Sequence, residues 1–328
     1  MTSKKILVVG GAGYIGSHMV KLLGRRGCHV TTLDDLSSGH RDAVLAGDFV
    51  QGDMADAALL RSVFATRPYD AVMHFASFIE VGESVREPAK YYRNNVANTL
   101  TLLAAMREAG VDRFIFSSTA AIFGTPQYVP IDERHPRAPI NPYGRTKNMV
   151  EDVLVDYERA YGLRSVCLRY FNAAGADPDG ELGERHDPES HLIPLALQAA
   201  SGRRPGLSIY GTDYDTPDGT CIRDYVHVSD LCDAHWLALE SLRDGAASQA
   251  YNLGNGNGFS VLEVIETAKK VTGVNFPVKP EARRAGDPPR LVADSSAIKS
   301  TLGWSPRYAD LETIVSHAWA FERARQRD

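Results

Sequence analysis

Ile6-Leu7-Val8-Val9-Gly10-Gly11-Ala12-Gly13-Tyr14-Ile15-Gly16 is the stretch whose reading decides the fold. Four β-prone apolar residues run into a glycine turn, and an amphipathic run opens at Tyr14. The glycines satisfy G-x-G-x-x-G from Gly11 and G-x-x-G-x-x-G from Gly10. Glycine is needed because the turn is tight and a pyrophosphate must approach the backbone with no Cβ in the way. The N-terminus of the following helix then offers free N–H groups and the positive end of its dipole. Glycines alone are weak evidence, because a tight strand-to-helix turn without a ligand can carry them. Here they sit in the strand–turn–helix context that a dinucleotide site requires.

The next strand candidate, His29–Leu33, ends at Asp34, 18 residues after Gly16. That is close to the ~20 residues expected for the acid that binds the adenosine ribose hydroxyls. A carboxylate there repels a 2′-phosphate and favours NAD over NADP, although Arg41 is near. The third strand candidate, Asp48–Gln51, is followed by Gly52-Asp53-Met54, where Asp53 could reach an adenine amino group. Asp53 reads equally well as a simple turn or cap acid.

Further strand candidates are Ala71–His74, Arg113–Ser117 and Ser165–Arg169. Helical patterns lie between the strands near Tyr14–Arg26, Ala57–Thr66, Lys90–Glu108 and Tyr143–Tyr161. This alternation, with near-continuous apolar strands, predicts an α/β fold with a doubly wound, Rossmann-type parallel sheet covered on both faces. After about Asn172 the pattern changes. Gly175–Pro188 and Gly211–Gly219 are dense in Gly, Pro and Asp and read as long loops, which are often functional. Helices resume near Leu192–Ser201, Ser229–Ser241, Leu262–Thr272, Ser295–Thr301 and Leu311–Arg323. The expected division is a dinucleotide-binding domain over 1–175, rejoined by about 223–258, and a smaller mixed α/β substrate lobe over 176–328.

The bulk properties exclude several classes. The 328 residues are 44% apolar and 23% charged, ordinary values for a globular enzyme, and the net charge of −5 is not that of a nucleic-acid binder. No stretch reaches the ~20 apolar residues of a membrane span. The apolar run after Met1-Thr2-Ser3-Lys4-Lys5 is too short for a signal segment and reads as a strand. Cys28, Cys167, Cys221 and Cys232 match neither a zinc site nor a redox pair. Reduced thiols point to the cytoplasm. No metal is expected, because His74, His186, His191 and His227 show no ligand spacing.

Tyr143-Gly144-Arg145-Thr146-Lys147 places a tyrosine and a lysine at i and i+4, on one helix face. A tyrosine pKa near 10 is too high for a base at neutral pH. A neighbouring ammonium and a positive nicotinamide ring would stabilise the phenolate. Tyr143 could then take a proton from a sugar hydroxyl, while Lys147 also anchors the nicotinamide ribose. Y-x-x-x-K is common by chance, and a surface pair is the bland alternative. Here it is preceded by a hydroxyl-rich strand end, Ser117-Ser118-Thr119, and ligands bind at the carboxyl ends of strands in such sheets. Thr119 is the hydroxyl expected to bond the substrate oxygen, while Ser117 and Ser118 read as turn caps.

With these residues in view, the sequence resembles the extended short-chain dehydrogenase/reductase family and, within it, the UDP-galactose 4-epimerases. The resemblance runs through GGAGYIGSH (10–18), HFASFIEVGESV (74–85), FSSTAAIFG (116–124), NPYGRTK (141–147), LRYFNAAGA (168–176), RDYVHVSDL (223–231) and RRAGDPPRLVAD (283–294). It implies NAD as cofactor, a UDP-sugar as substrate and a homodimer formed through the helices at Lys90–Glu108 and after Tyr143. It implies that Tyr14 and Ile15 meet the pyrophosphate, Asp34 the adenosine ribose, and Asp53 and Met54 the adenine. Phe75, Ala76 and Asn94 would line the cofactor, with Phe171 near the nicotinamide. Thr119, Tyr143 and Lys147 match the catalytic set. Asn172 would bond the diphosphate, His191 and Leu192 would lead into the substrate-lobe helix, and Tyr210 would pack on uracil. Arg223, Arg284 and Asp287 would hold the diphosphate and uridine ribose, as suits guanidinium and carboxylate chemistry.

The implied reaction oxidises the sugar at carbon 4, turns the keto intermediate over and reduces its other face. Three positions depart from the family pattern. Ile79 replaces a common lysine, Phe123 a tyrosine, and Leu291 stands where relatives carry a bulky Tyr or a small Cys or Ser that affects N-acetyl sugars. Ala120 and Ala121 stand where a 4,6-dehydratase has its acid pair.

Overall fold

The structure, a computed structural model, describes residues 3–284 and 287–325. Ala285 and Gly286 of the 283–294 motif lie outside the described residues. Six strands form in the expected places: β1 (Lys5–Val9), β2 (His29–Asp34), β3 (Asp48–Gln51), β4 (Ala71–His74), β5 (Arg113–Thr119) and β6 (Arg164–Tyr170). They lie in the spatial order β6-β5-β4-β1-β2-β3, with the strand Gln249–Leu253 added beyond β6. The pairings β1–β2, β2–β3, β1–β4 and β4–β5 are parallel. The chain moves outward from β1 through β2 to β3, then returns to β4 on the other side of β1. That reversal makes a crevice at the carboxyl ends of β1 and β4, the place where doubly wound sheets bind ligands.

The strands read as continuous apolar runs because both sheet faces are covered. Ile6, Leu7, Val8, Val72, Met73, Phe114 and Ile115 are all fully buried. The helix Pro142–Tyr161 starts where the Asn141 side chain accepts from Gly144 N at 2.8 Å, with Pro142 in its first turn. It stops at Gly162, whose φ of 71° is left-handed.

The single helix expected over Lys90–Glu108 is built differently. A short α-turn (Pro88–Tyr91) passes into a π-helical stretch (Tyr92–Asn98), and a regular helix follows (Thr99–Glu108). π-helical turns are rare and recur at functional sites. Here the stretch carries Asn94 and Asn95. The buried Asn95 amide accepts from Phe78 N and donates to Phe78 O, both at 3.0 Å, and donates to Thr146 Oγ1 at 3.2 Å. It therefore ties the segment after β4 to the helix bearing Tyr143.

The chain divides into two compact units: residues 1–124, 136–169 and 232–251 in the first, and 125–135, 170–231 and 252–328 in the second. The division falls after Arg169 rather than at 175, and the rejoining segment is narrower than expected. Residues 125–135 go with the second unit because Ile131 bridges Ala293, with Ile131 N donating to Val292 O at 2.8 Å. The second unit has its own core, in which Ile193, Ala196, Leu197, Val264, Ile265, Ile314 and Val315 pack the helices Leu192–Ala200, Val261–Thr272 and Leu311–Arg325 together. Its strands are short. Leu207–Tyr210 pairs in parallel with Val278–Glu281, and Ile222–Arg223 pairs with Phe259–Ser260 and Arg290–Leu291. Among the described residues no helix is long and apolar enough to cross a membrane.

Candidate active site

The first unit presents a cleft of about 70 Å³ lined by Gly10, Gly13, Asp34, Asp53, Met54, Phe75, Ala76 and Asn94, among others. The glycines divide by role. A Cβ on Gly10, whose φ is +81°, would lie 2.4 Å from Ala76 N, and one on Gly16 would lie 2.1 Å from Gly10 O. Those two residues let the turn close. A Cβ on Gly13 would meet only Gly10 O, at an ordinary 3.5 Å, so the absent side chain there leaves room for a third party. Gly13 is also the N-cap of the helix Tyr14–Arg25, with no side-chain cap and no acid in the first turn. Tyr14, Ile15 and Gly16 make that turn. An open helix N-terminus beneath a bare glycine fits a pyrophosphate.

Asp34 sits at the end of β2, as the spacing predicts. Its two oxygens accept from Ala12 N and Leu36 N, each at 2.9 Å. The carboxylate thus pins the glycine turn as well as facing the cleft. Burial pushes its pKa up, against these two backbone bonds. Asp53 accepts from Ala55 N at 2.8 Å, so the turn-acid reading holds for it, and it lines the cleft too.

Thr119, Tyr143 and Lys147 are all buried in the first unit. The Thr119 hydroxyl is near enough to the Tyr143 phenol to favour its ionised form, and it accepts from Ala121 N at 3.1 Å. Lys147 Nζ donates to Ser77 Oγ and to Ser117 O, both at 2.7 Å. Burial takes the lysine down to about 7, opposed by the Glu151 carboxylate one turn further along the helix. The phenol is pushed up to about 12 by burial, against the Thr119 hydrogen bond and with a smaller push from the Glu80 charge. The Lys147 ammonium donates to Ser77 and Ser117 rather than to the phenol.

In the second unit a cavity of about 620 Å³ is lined by Asn172, His191, Leu192, Tyr210, Arg223, Arg284 and Asp287, among others. The Arg284 guanidinium lies 4.0 Å over the Tyr210 ring. Arg223 is already engaged: it donates to Ile222 O and Pro288 O and pairs with Asp287 at 3.2 Å. Asn172 Nδ2 donates to Asp224 O at 2.9 Å. The cavity thus joins two guanidinium groups, an exposed aromatic face and a carboxylate, a set suited to a nucleotide diphosphate.

A family model described as the NAD dependent epimerase/dehydratase family matches residues 6–254. The chain belongs to that family. It is 54% identical over 323 residues to the UDP-glucose 4-epimerase of Azospirillum brasilense, covering 98% of this chain and 93% of that protein. It is 52% identical over 318 residues to the UDP-glucose 4-epimerase of Halalkalibacterium halodurans, covering 97% and 95%. The solved structure of the Brucella ovis UDP-glucose 4-epimerase in complex with NAD superposes with a TM-score of 0.95 at 53% identity, covering 98% of this chain and 99% of that one.

Against the epimerase/dehydratase pattern, the structure alters several readings made from the sequence. Phe171 belongs to the second unit, where its N–H donates to Leu253 O at 3.3 Å. Leu291 pairs opposite Arg223 in a two-residue strand and is not among the residues lining the cavity. Phe123 is fully buried, with the Arg169 guanidinium 5.6 Å from its ring, so it fills core. The histidines also behave differently. His74 is buried, bonded to Thr99 Oγ1 at 3.0 Å and driven to about 3 by burial, so it is a neutral core residue. His186 and His191 were expected to lack any ligand arrangement, yet a loop brings both beside Glu184 and Glu189. Helical spacing rules do not anticipate that. Ser77 and Asn95 were missed, since a lone Ser and an Asn within a helical pattern carry no chemical signature. Asp224 was missed too; it sits buried and accepts from Asn255 N, Gly256 N and Ala293 N.

Proposed function

We propose that this chain is an NAD-dependent 4-epimerase that interconverts UDP-galactose and UDP-glucose through a 4-keto intermediate. The observation that carries the reading is full-length identity above 50% to UDP-glucose 4-epimerases, in a chain that keeps Thr119, Tyr143 and Lys147 together. The first unit acts as the NAD-binding domain. Gly10, Gly13, Tyr14, Ile15 and Gly16 would hold the pyrophosphate, Asp34 the adenosine ribose, and Asp53, Met54, Phe75, Ala76 and Asn94 the remaining cofactor surface. The second unit acts as the UDP-sugar lobe, with Arg223 and Arg284 for the diphosphate, Tyr210 for the uracil and Asp287 for the ribose. Asn172, His191 and Leu192 complete its wall.

NAD, when bound, supplies the hydride acceptor and donor and a positive ring charge that lowers the Tyr143 pKa. Tyr143 takes the proton of the sugar 4-hydroxyl and returns it to the inverted oxygen. Thr119, beside the phenol, would share that proton and orient it. Lys147, held by Ser77 and the Ser117 carbonyl, would present its remaining donor capacity to the cofactor ribose. Ala120 and Ala121 supply no acid, so elimination of the 6-hydroxyl lacks a proton carrier, which favours epimerisation over dehydration within the family.

A homodimer is supported by the apolar side chains Leu100, Met149, Val155 and Tyr161, which stay exposed on the helices at 99–108 and 142–161. Four cysteines without a disulfide suit a reducing compartment, and we place the enzyme in the cytoplasm. The test is product separation after incubation with NAD and either UDP-galactose or UDP-glucose. Both starting points should reach the same mixture of the two. A 4-keto-6-deoxy product would make the chain a dehydratase, and turnover confined to UDP-N-acetylglucosamine or UDP-xylose/UDP-arabinose would make it a sibling epimerase.

A further inference from the structure

The loop from Gly175 to His191 carries Glu184, His186, Glu189 and His191 within eight residues. One donor atom from each lies within 4.8 Å of every other. The distances are short and alternate in kind. His191 Nδ1 is 2.8 Å from Glu184 Oε1 and 3.1 Å from Glu189 Oε1, while His186 Nδ1 is 3.0 Å from Glu184 Oε1 and 3.9 Å from Glu189 Oε1. Four ligands about 2.0–2.1 Å from a tetrahedral ion stand roughly 3.3 Å apart, in the middle of that range. The carboxylates are nearly closed to solvent, at 6% and 4% side-chain exposure, while the imidazoles keep 19% and 38% and leave an entry path.

We propose that Glu184, His186, Glu189 and His191 form a binding site for a divalent transition-metal ion of zinc's class. The donor set is two imidazole nitrogens and two carboxylate oxygens, the composition that suits zinc and not the oxygen-seeking magnesium or calcium. The charge also closes: two carboxylates balance one divalent ion when both rings are neutral. His186 Nδ1 and His191 Nδ1 converge on the same Glu184 oxygen, at 3.0 and 2.8 Å. The Glu189 carboxylate is fixed by its own loop, because Oε1 accepts from Ser190 N at 2.8 Å and from His191 N at 2.9 Å. Ligand carboxylates held in this way are oriented before the ion arrives. Glu184 and His191 line the 620 Å³ cavity, so the ion would fix one wall of it and the entry to the helix Leu192–Ala200.

The experiment is a titration of chelator-treated, desalted full-length protein with Zn²⁺, read by calorimetry and by melting temperature, with Mg²⁺ as the control ion. The expected result is one Zn²⁺ per chain, no Mg²⁺ binding, and a melting temperature raised by about 4 °C at an ion excess of 100 times Kd. His186→Asn and Glu189→Gln should each weaken binding at least tenfold, while circular dichroism shows that both remain folded. The proposal is overturned by the absence of saturable Zn²⁺ binding in the parent chain. It is equally overturned if both folded variants keep the parent's affinity and stoichiometry, which would assign the zinc to other surface histidines.

Discussion

Replacing Lys147 with methionine should make the ligand-free protein more stable while removing its activity. The ammonium is buried, and its pKa falls from the ordinary 10.5 to about 7. At about 1.4 kcal/mol per pH unit, the charged form costs roughly 5 kcal/mol below pH 7. The sign follows from proton counting. Between pH 7 and 10.5 the unfolded chain holds a proton on this lysine that the folded chain has released. Folding stability therefore rises with pH across that window, and the full cost applies below it. Methionine has similar length and no charge, but it abandons the hydrogen bonds to Ser77 Oγ and Ser117 O. Those losses cost about 1 kcal/mol each. The variant should therefore exceed the parent by roughly 3 kcal/mol at pH 6. Urea denaturation of both cofactor-free proteins at pH 6 and pH 9 measures this. The gap between the two proteins should shrink by roughly 3 kcal/mol from the lower pH to the higher. A gap independent of pH, or a variant less stable than the parent at pH 6, would refute the claim that burial strains this ammonium.

Gly13→Ala should fold with a stability change of less than about 1 kcal/mol, because the added methyl meets only an ordinary contact, yet bind NAD far more weakly; fluorescence titration and thermal melting separate the two effects. Gly16→Ala should cost more than about 3 kcal/mol, because its Cβ would press on the backbone oxygen of Gly10, and thermal melting reads that directly. Arg284→Ala should weaken UDP binding by roughly 10–100-fold, the value of a charged hydrogen bond, with little change in melting temperature, as calorimetry would record. Thr119→Val should lower kcat by about 100-fold and cost roughly 1 kcal/mol through loss of the Ala121 cap.

What the sequence disclosed follows from which forces are local. The parallel sheet was legible because strands buried on both faces must carry continuous apolar runs, and Ile6–Val9, Ala71–Met73 and Phe114–Phe116 do. The glycine turn was legible because steric exclusion acts within a few residues, as Gly10 and Gly16 demonstrate. The short strands of the second unit were not legible. Ile222–Arg223, Phe259–Ser260 and Arg290–Leu291 are two residues each and exist only through pairing partners far along the chain. The π-helical stretch at Tyr92–Asn98 was hidden for a similar reason: the Asn95 amide gains partners from Phe78 and Thr146, which helical periodicity does not reveal. The candidate site divides the same way. Tyr143 and Lys147 announce themselves by spacing, whereas Ser77 meets Lys147 across 70 residues. The cluster at Glu184–His191 combines a readable set of ligands with a loop geometry that only the fold supplies.

The measurement that bears most directly on the account is the initial rate of UDP-glucose formation from UDP-galactose, taken side by side for the parent chain and Tyr143→Phe with NAD present. The account predicts turnover by the parent and a rate at least about 100-fold lower for the variant, with UDP affinity unchanged, because the lost hydroxyl is the general base. A parent chain that forms no UDP-glucose, or a variant that matches it, would contradict the assignment of Tyr143 to the reaction.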